Sequence, residues 1–304
     1  MLEWLYCYLP TLEPKQQINW MEEAETAEEC DFGCHSFDIE KLVDGDAEGA
    51  LRNLPEGDGR TLVYRGWILQ EEEYRSLEDE VSARGYRLLT NTNQYLEALH
   101  LPNWHPRVAD LTPPAIWTYD TDIDEAWEAA KSLGPPPYII KDHVKSCKEA
   151  WLEACYVPPK ARKAKFGEIC EQLIDRRGER FEGGIVIRPV VPLVLLAADF
   201  SGLPIFDEYR LFFWRGKLIL SSPYNDLGRE ETDFSRFADL GERIDSDFFV
   251  ADVARTQSGE LTLIEINDGG IAGIPPSIHP IELYSTIAEI EDRRNSGEEE
   301  EDDD

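Results

Sequence analysis

The chain has 304 residues, 42% hydrophobic and 30% charged, enough for a sizeable core in one large domain or two to three packed lobes. Its net charge is -32, with seven of those charges in the terminal run EEEEDDD; a field of that sign argues against nucleic acid as a partner and either attracts cationic or amine ligands or serves solubility alone. The longest apolar stretch, around 185–200, is interrupted by Arg188 and two prolines, and no basic segment precedes the apolar start, so a soluble, cytoplasmic protein with no membrane partner is expected.

In chain order, Thr61–Tyr64 reads as a strand, Arg65-Gly66-Trp67 as a turn, Glu71–Ala83 as a helix and Tyr86–Leu89 as the next strand. Strand–helix–strand order implies an open α/β unit. Pro113-Pro114 marks a boundary. A helix over Asp122–Ser132 closes at Gly134, and a strand ends in Lys141 (YIIK). A second helix, about Ala164–Arg177, leads to Gly183-Gly184 and the strand IVIR. Glu208–Trp214 and Lys217–Leu220 flank Arg215-Gly216, a two-residue hairpin turn. Phe248–Val253 and Leu261–Asn267 flank a longer hairpin loop. Residues 295–304 are too acidic and too poor in apolar side chains to order themselves.

Six cysteines, Cys7, Cys30, Cys34, Cys147, Cys155 and Cys170, are scattered without a secretory signal, which favours free thiols. Cys30, Cys34 and His35 lack the second Cys pair of a structural zinc site.

The segment FFVADVARTQSGELTLIEIND carries the most chemistry. Alternation along the strands puts Phe248, Val250 and Asp252 on one face, and Leu261, Leu263, Glu265 and Asn267 on one face of the returning strand. A suitable register brings Asp252 opposite Glu265 or one diagonal step away. Two carboxylates and an amide on an apolar surface suit a hard divalent cation such as magnesium, whose other positions keep water and phosphate oxygens. Salt bridges to the chain's own basic side chains are the alternative. Lys141, Arg188 and Arg210 each interrupt an apolar strand, where a cation needs a partner. Three such cations with an oxygen-rich metal site match the needs of a triphosphate.

The ordered set YIIK, GGIVIRP, EYRLFF and the D-x(12)-E-x-N hairpin resembles the ATP-grasp superfamily, and within it the clade named for two arginines and a lysine. RGW at 65–67, LPNWHP at 101–106, KDHVKS at 141–146 and WLEACYVP at 151–158 are similar to that clade too. The resemblance covers about residues 30–285. It implies an α/β (α+β) chain of the ATP-grasp fold. A Rossmann-like pre-ATP-grasp domain would occupy 1–115, a small lobe 116–190 and a C-terminal lobe with the metal-binding hairpin 191–294. It further implies ATP and Mg2+, with Lys141 on the α- or β-phosphate and Val186, Ile187 and Arg188 at the nucleotide. Arg210 would face the phosphates or an acyl phosphate, and Asp252, Glu265 and Asn267 would bind the metal. The clade's last metal position favours Glu-x-Gly-Asp. Here Glu265-Ile266-Asn267-Asp268 stands instead, and Asn267 is preferred because it shares the face of Glu265. Many superfamily members carry another lysine near the start of the grasp domain, where this chain has His100 and His105.

Lys145 is either a second phosphate contact or a solvated lysine, and Arg65 is either a bidentate ligand for an acceptor carboxylate or part of a structural turn. His100, His105 and His143 are expected to be hydrogen-bonded structural residues. The reaction implied is ATP-dependent ligation of a small-molecule or peptide carboxylate to an amine through an acyl phosphate. A kinase acting on a hydroxyl, a silent nucleotide-binding module and a non-nucleotide interaction protein are the rival readings.

Overall fold

Among the described residues, four sheets, each built from strands that follow one another in sequence, organise the chain. The computed structural model describes residues 2–10, 18–198, 204–225, 227 and 232–297. Compactness divides these into two units. The first comprises the described residues of Met1–Leu96, Arg210–Val250 and Asn267–Asp304, and the second Glu97–Tyr209 and Ala251–Ile266.

In the first unit, β1 (Leu2–Tyr8), β2 (Gly33–Asp38), β3 (Thr61–Arg65) and β4 (Arg87–Leu88) form a parallel sheet in the order β2-β1-β3-β4. β1 reads LEWLYCY and is buried over almost its whole length, as a parallel strand covered on both faces must be. Glu3 is tolerated there because Arg60 pairs with it and His35 Nε2 lies 2.8 Å from its Oε2. The helix Glu71–Ala83 matches its expected span. It starts with a capping box between Gln70 and Glu73, buries Tyr74, Leu77 and Val81, and ends before Gly85 at φ 80°.

In the second unit, β5 (Ile116–Trp117), β6 (Tyr138–Lys141), β7 (Tyr156–Val157) and β8 (Val186–Pro189) form an antiparallel sheet in the order β5-β8-β6-β7. Tyr138, Ile140, Val157 and Ile187 point from it into a core with Phe166, Ile169 and Leu173 of the helix Lys163–Arg177. Each fully buried side chain of this size contributes roughly 2 kcal/mol. Alternation therefore sends Ile139, Lys141, Tyr156, Val186 and Arg188 to the opposite face, in keeping with the pairings Ile139↔Arg188, Lys141↔Val186 and Ile139↔Tyr156. A two-stranded antiparallel ribbon, β9 (Leu195–Ala198) with β10 (Pro204–Phe206), follows.

The last sheet has the order β12-β11-β13-β14, from β11 (Glu208–Trp214), β12 (Lys217–Pro223), β13 (Phe248–Arg255) and β14 (Leu261–Asp268). Arg215 and Gly216 turn the first hairpin with φ 46° and 82°, the positive pair of a type I′ turn. The core of the first unit gathers around Trp4, whose ring centroid lies 4.9 Å from Tyr284, 6.2 Å from Trp214 and 6.3 Å from Phe248. The helix Pro280–Ser296 supplies Leu283, Tyr284 and Ile287 to that core and stops at Gly297, φ 74°. Of the run 295–304, expected to lack order, Asn295 and Ser296 instead complete this helix, and 298–304 lie outside the described residues.

Candidate nucleotide and metal site

Lys141 ends β6 on the sheet face that points away from the helical core. Its Nζ donates to Glu265 Oε1 at 2.7 Å, with the lysine side chain 10% and the glutamate side chain 28% exposed. Burial pushes the Glu265 carboxyl up, but Lys141, Lys148 and Lys145 outweigh it and hold the group well below the usual carboxylate range. Glu265 is thus an ionised carboxylate in a field of lysines. For Glu265 this is the alternative the sequence left open, a salt bridge to one of the chain's own basic side chains within the second unit.

Arg188 sits on the same face of β8. Its Nη1 donates to Ile264 O at 2.6 Å and its Nη2 to Thr112 Oγ1 at 2.8 Å and Pro113 O at 3.4 Å. Among the described residues no carboxylate lies within ion-pair distance of it. Burial pushes its guanidinium down to about 10, against the pull of Glu265. A cation held by neutral dipoles and short of an anion favours an anionic ligand. Val186 lies on this face, whereas Ile187 points into the core. Both pair with β5 on one side and β6 on the other, which commits their backbones to the sheet.

Lys145 is exposed in the connection after β6, and Lys148 opens the turn Lys148–Ala150 in the same connection. The sequence reading does not single out Lys148. Its signal is the spacing of three lysines in KDHVKSCK, and its charge bears on Glu265 more strongly than that of Lys145. Thr112, which cradles Arg188, carries no sequence signal.

Asp252 is half-buried on β13. Among the described residues no three His, Cys, Asp or Glu side chains gather as a metal-holding group. Magnesium needs only one or two protein carboxylates when phosphates and water complete its shell, and an ionised glutamate fits that chemistry. Asn267 and Asp268 belong to the first unit. Asn267 is half-buried, while Asp268 is 1% exposed and its Oδ1 accepts from Gly270 N at 2.8 Å. Among the described residues Asp268 Oδ2 is buried with no hydrogen-bond partner.

Arg210, also in the first unit, is 6% exposed. Its Nη1 donates to Gly273 O at 2.6 Å, and its guanidinium lies 4.8 Å from the centroid of the Tyr224 ring. Arg65 is fully buried. It donates to Glu23 Oε2 through Nε at 2.8 Å and through Nη2 at 2.5 Å, and through Nη1 to the carbonyls of Gly269 at 2.8 Å and Ala272 at 2.7 Å. Of its two readings the structural one fits, since the guanidinium is fully buried and its fork is already engaged by the Glu23 carboxylate.

His105 and His143 bond the carbonyls of Pro113 at 3.0 Å and Thr118 at 2.8 Å, and burial lowers the pKa of each, so both are neutral internal groups. Gly183, at φ 68°, lies against the His143 ring, and a Cβ on Gly184 would fall 2.1 Å from Thr118 O. Close packing of the chain on itself accounts for this glycine pair. In the first unit, His35 is taken by Glu3, and burial pushes the Cys34 thiol up to about 12. All six cysteines are free thiols.

The family model for the ATP-grasp domain of the clade named for two arginines and a lysine, family 3, matches residues 132–288, more than half of the chain. The protein belongs to this ATP-grasp family. No curated protein matches it by sequence. Solved structures agree on the fold. D-cycloserine synthetase DcsG is 13% identical with TM-score 0.61, the match covering 94% of this chain and 99% of that one. D-alanine–D-alanine ligase from Bacillus anthracis is 11% identical with TM-score 0.59, covering 98% and 99%. The ATP-grasp ligase PsnB, solved with minimal precursor, Mg and ADP, is 9% identical with TM-score 0.55, covering 96% and 98%. These likenesses establish the ATP-grasp fold, with its parallel and antiparallel sheets, for the chain. Among the described residues no helix is long and apolar enough to cross a membrane.

Proposed function

We propose that this ATP-grasp protein is an ATP- and magnesium-dependent ligase that joins a carboxylate to an amine through an acyl phosphate. The observation that carries the reading is the face of the β5–β8 sheet that points away from the helical core. There Lys141, the anion-short Arg188 and the ionised Glu265 meet within the second unit of a chain of this family.

In this reading Lys141 and Arg188 hold the nucleotide phosphates, Val186 lines the same face, and Lys145 or Lys148 adds a further cation. Asp252 and Glu265 supply oxygens for magnesium, while Asn267, expected as a third donor, belongs to the first unit. Magnesium bound there would offset charge on the phosphate oxygens. The substrate carboxylate attacks the γ-phosphate, ADP leaves, and the amine then displaces phosphate from the acyl carbon. No covalent enzyme intermediate arises, so a nucleophilic Ser or Cys is not required. D-Alanine ligases and peptide ligases among the structural neighbours support carboxylate and amine substrates of small-molecule or peptide class.

The decisive experiment incubates the protein with ATP, magnesium and an extract of small metabolites and peptides, read by mass spectrometry. An ATP-dependent condensation product with release of phosphate supports the ligase. A stable phosphoproduct formed without an amine points to a kinase, and ATP binding without stimulated turnover to a silent module. Absence of any ATP-dependent thermal shift overturns the nucleotide reading altogether.

A further inference from the structure

Asp142 follows Lys141 directly and is fully buried, at 0% exposure. Its Oδ1 accepts the backbone N–H of Val144 at 2.7 Å and that of Lys145 as well. Its own N–H donates to Lys145 O at 3.1 Å, closing the same turn from the other direction. Its Oδ2 accepts from Arg177 Nε at 2.7 Å, and Arg177 Nη2 donates to Arg180 O at 2.6 Å. Arg177 is the last residue of the helix Lys163–Arg177 that covers the sheet. One carboxylate thus ties the connection between β6 and β7 to the end of that helix, and Cys147 and Ala150 seat the same connection on the core.

An Asx turn alone is satisfied by a neutral asparagine or serine. A buried, ion-paired carboxylate is a more expensive device than a turn requires. What it fixes is the path of a segment bearing Lys141, Lys145 and Lys148 in a chain of net charge -32. A loose cationic segment loses conformational freedom when it closes on an anion, whereas a preset one does not.

We propose that Asp142, acting through Arg177, is a positioning residue that presets the lysine-bearing β6–β7 connection for the nucleotide phosphates. This rests on the reading that those lysines meet ATP. Asp142 itself touches no substrate.

The test uses the full chain and three variants, Asp142→Ala, Asp142→Asn and Arg177→Gln. The Asn variant keeps the turn acceptor and loses the ion pair, and the Gln variant changes a more exposed partner, so at least one folded protein reports each half of the clamp. Two measurements are made on each: trypsin cleavage after Lys145 and Lys148 without nucleotide, and magnesium–ATP affinity by calorimetry. Cleavage at those two sites is expected to rise about 10-fold in Asp142→Ala, with other sites unchanged, and ATP affinity to fall about 10- to 100-fold. Arg177→Gln and Asp142→Asn should shift both readouts in the same direction by less. Unchanged local cleavage with unchanged affinity overturns the proposal, and so does faster cleavage throughout the chain, which marks a residue that only holds the fold. Should the unmodified protein bind no ATP, the nucleotide reading falls by itself, and the cleavage measurement still decides whether Asp142 sets the connection.

Discussion

Lys141 Nζ stands 2.7 Å from Glu265 Oε1, so the lysine read as a phosphate ligand and the carboxylate read as a metal ligand neutralise one another across 124 residues of sequence. Each is a placeholder for the other's proposed partner. A phosphate oxygen suits the ammonium and a divalent cation suits the carboxylate, so magnesium and ATP should bind together with positive coupling. Lys141→Ala and Glu265→Ala are each expected to abolish ADP release. Glu265→Gln should in addition lose the magnesium dependence of ATP affinity, measured by calorimetry with and without the metal. Normal turnover in either alanine variant removes that residue from the site.

Arg188 gives a different signature. Its guanidinium is held by Ile264 O, Thr112 Oγ1 and Pro113 O, none of them anionic. Arg188→Lys keeps a charge but loses the fork that reaches Ile264 and Thr112 at once. ATP affinity is expected to fall about 10- to 100-fold, by roughly 1–3 kcal/mol of charge-assisted hydrogen bonding. Thermal melting in the absence of nucleotide should move by only a few degrees. An unchanged ATP affinity would assign Arg188 to the fold instead.

Much of the fold is legible locally. The helices Glu71–Ala83 and Lys163–Arg177 carry period-3.6 apolar faces and glycine stops, and Arg215-Gly216 is a local turn code. β1 and β2 are not legible in the same way, because LEWLYCY has no alternation and a short apolar run fits helix or strand equally. The site divides along the same line. Lys141 and Arg188 stand out as charges inside apolar strands, yet nothing local says that Glu265 is the partner of one and that neutral carbonyls hold the other. Arg65 shows the reverse case. Its RGW turn suits a substrate as well as the fold, and only the burial of Glu23 beside it decides the matter.

That internal Arg65 is expected to matter for stability rather than for ligand. Arg65→Met removes the charge, the fork to Glu23 and the bonds to Gly269 and Ala272, leaving a buried carboxylate without its cation. Breaking a buried pair of this kind typically costs about 3–5 kcal/mol. Urea denaturation should show the loss. ATP affinity of the folded fraction should stay close to that of the unmodified protein, and a selective loss of substrate affinity at unchanged stability would restore the ligand role.

Asp268 gives the protein a pH dependence of predictable sign. Burial pushes its carboxyl up to about 7 from an ordinary 3.8, against the hydrogen bond from Gly270 and the charge of Arg65. The folded state therefore holds this proton more tightly than the unfolded chain. The stability the group contributes is complete below about pH 4, is lost as pH rises toward 7, and changes no further above that. Three units correspond to about 4 kcal/mol as a ceiling. Glu265 has the opposite sign, since its pKa is depressed, and its contribution is fully present above its ordinary value of 4.5. The two windows therefore separate, and above pH 5 Asp268 acts without Glu265. Asp268→Asn keeps the acceptor for Gly270 N and removes the titration. Between pH 5 and pH 8, in magnesium-free buffer, the variant should gain about 2 kcal/mol relative to the unmodified protein by urea denaturation. Parallel stability curves over that range would show that Asp268 stays ionised and that its buried Oδ2 has found a donor.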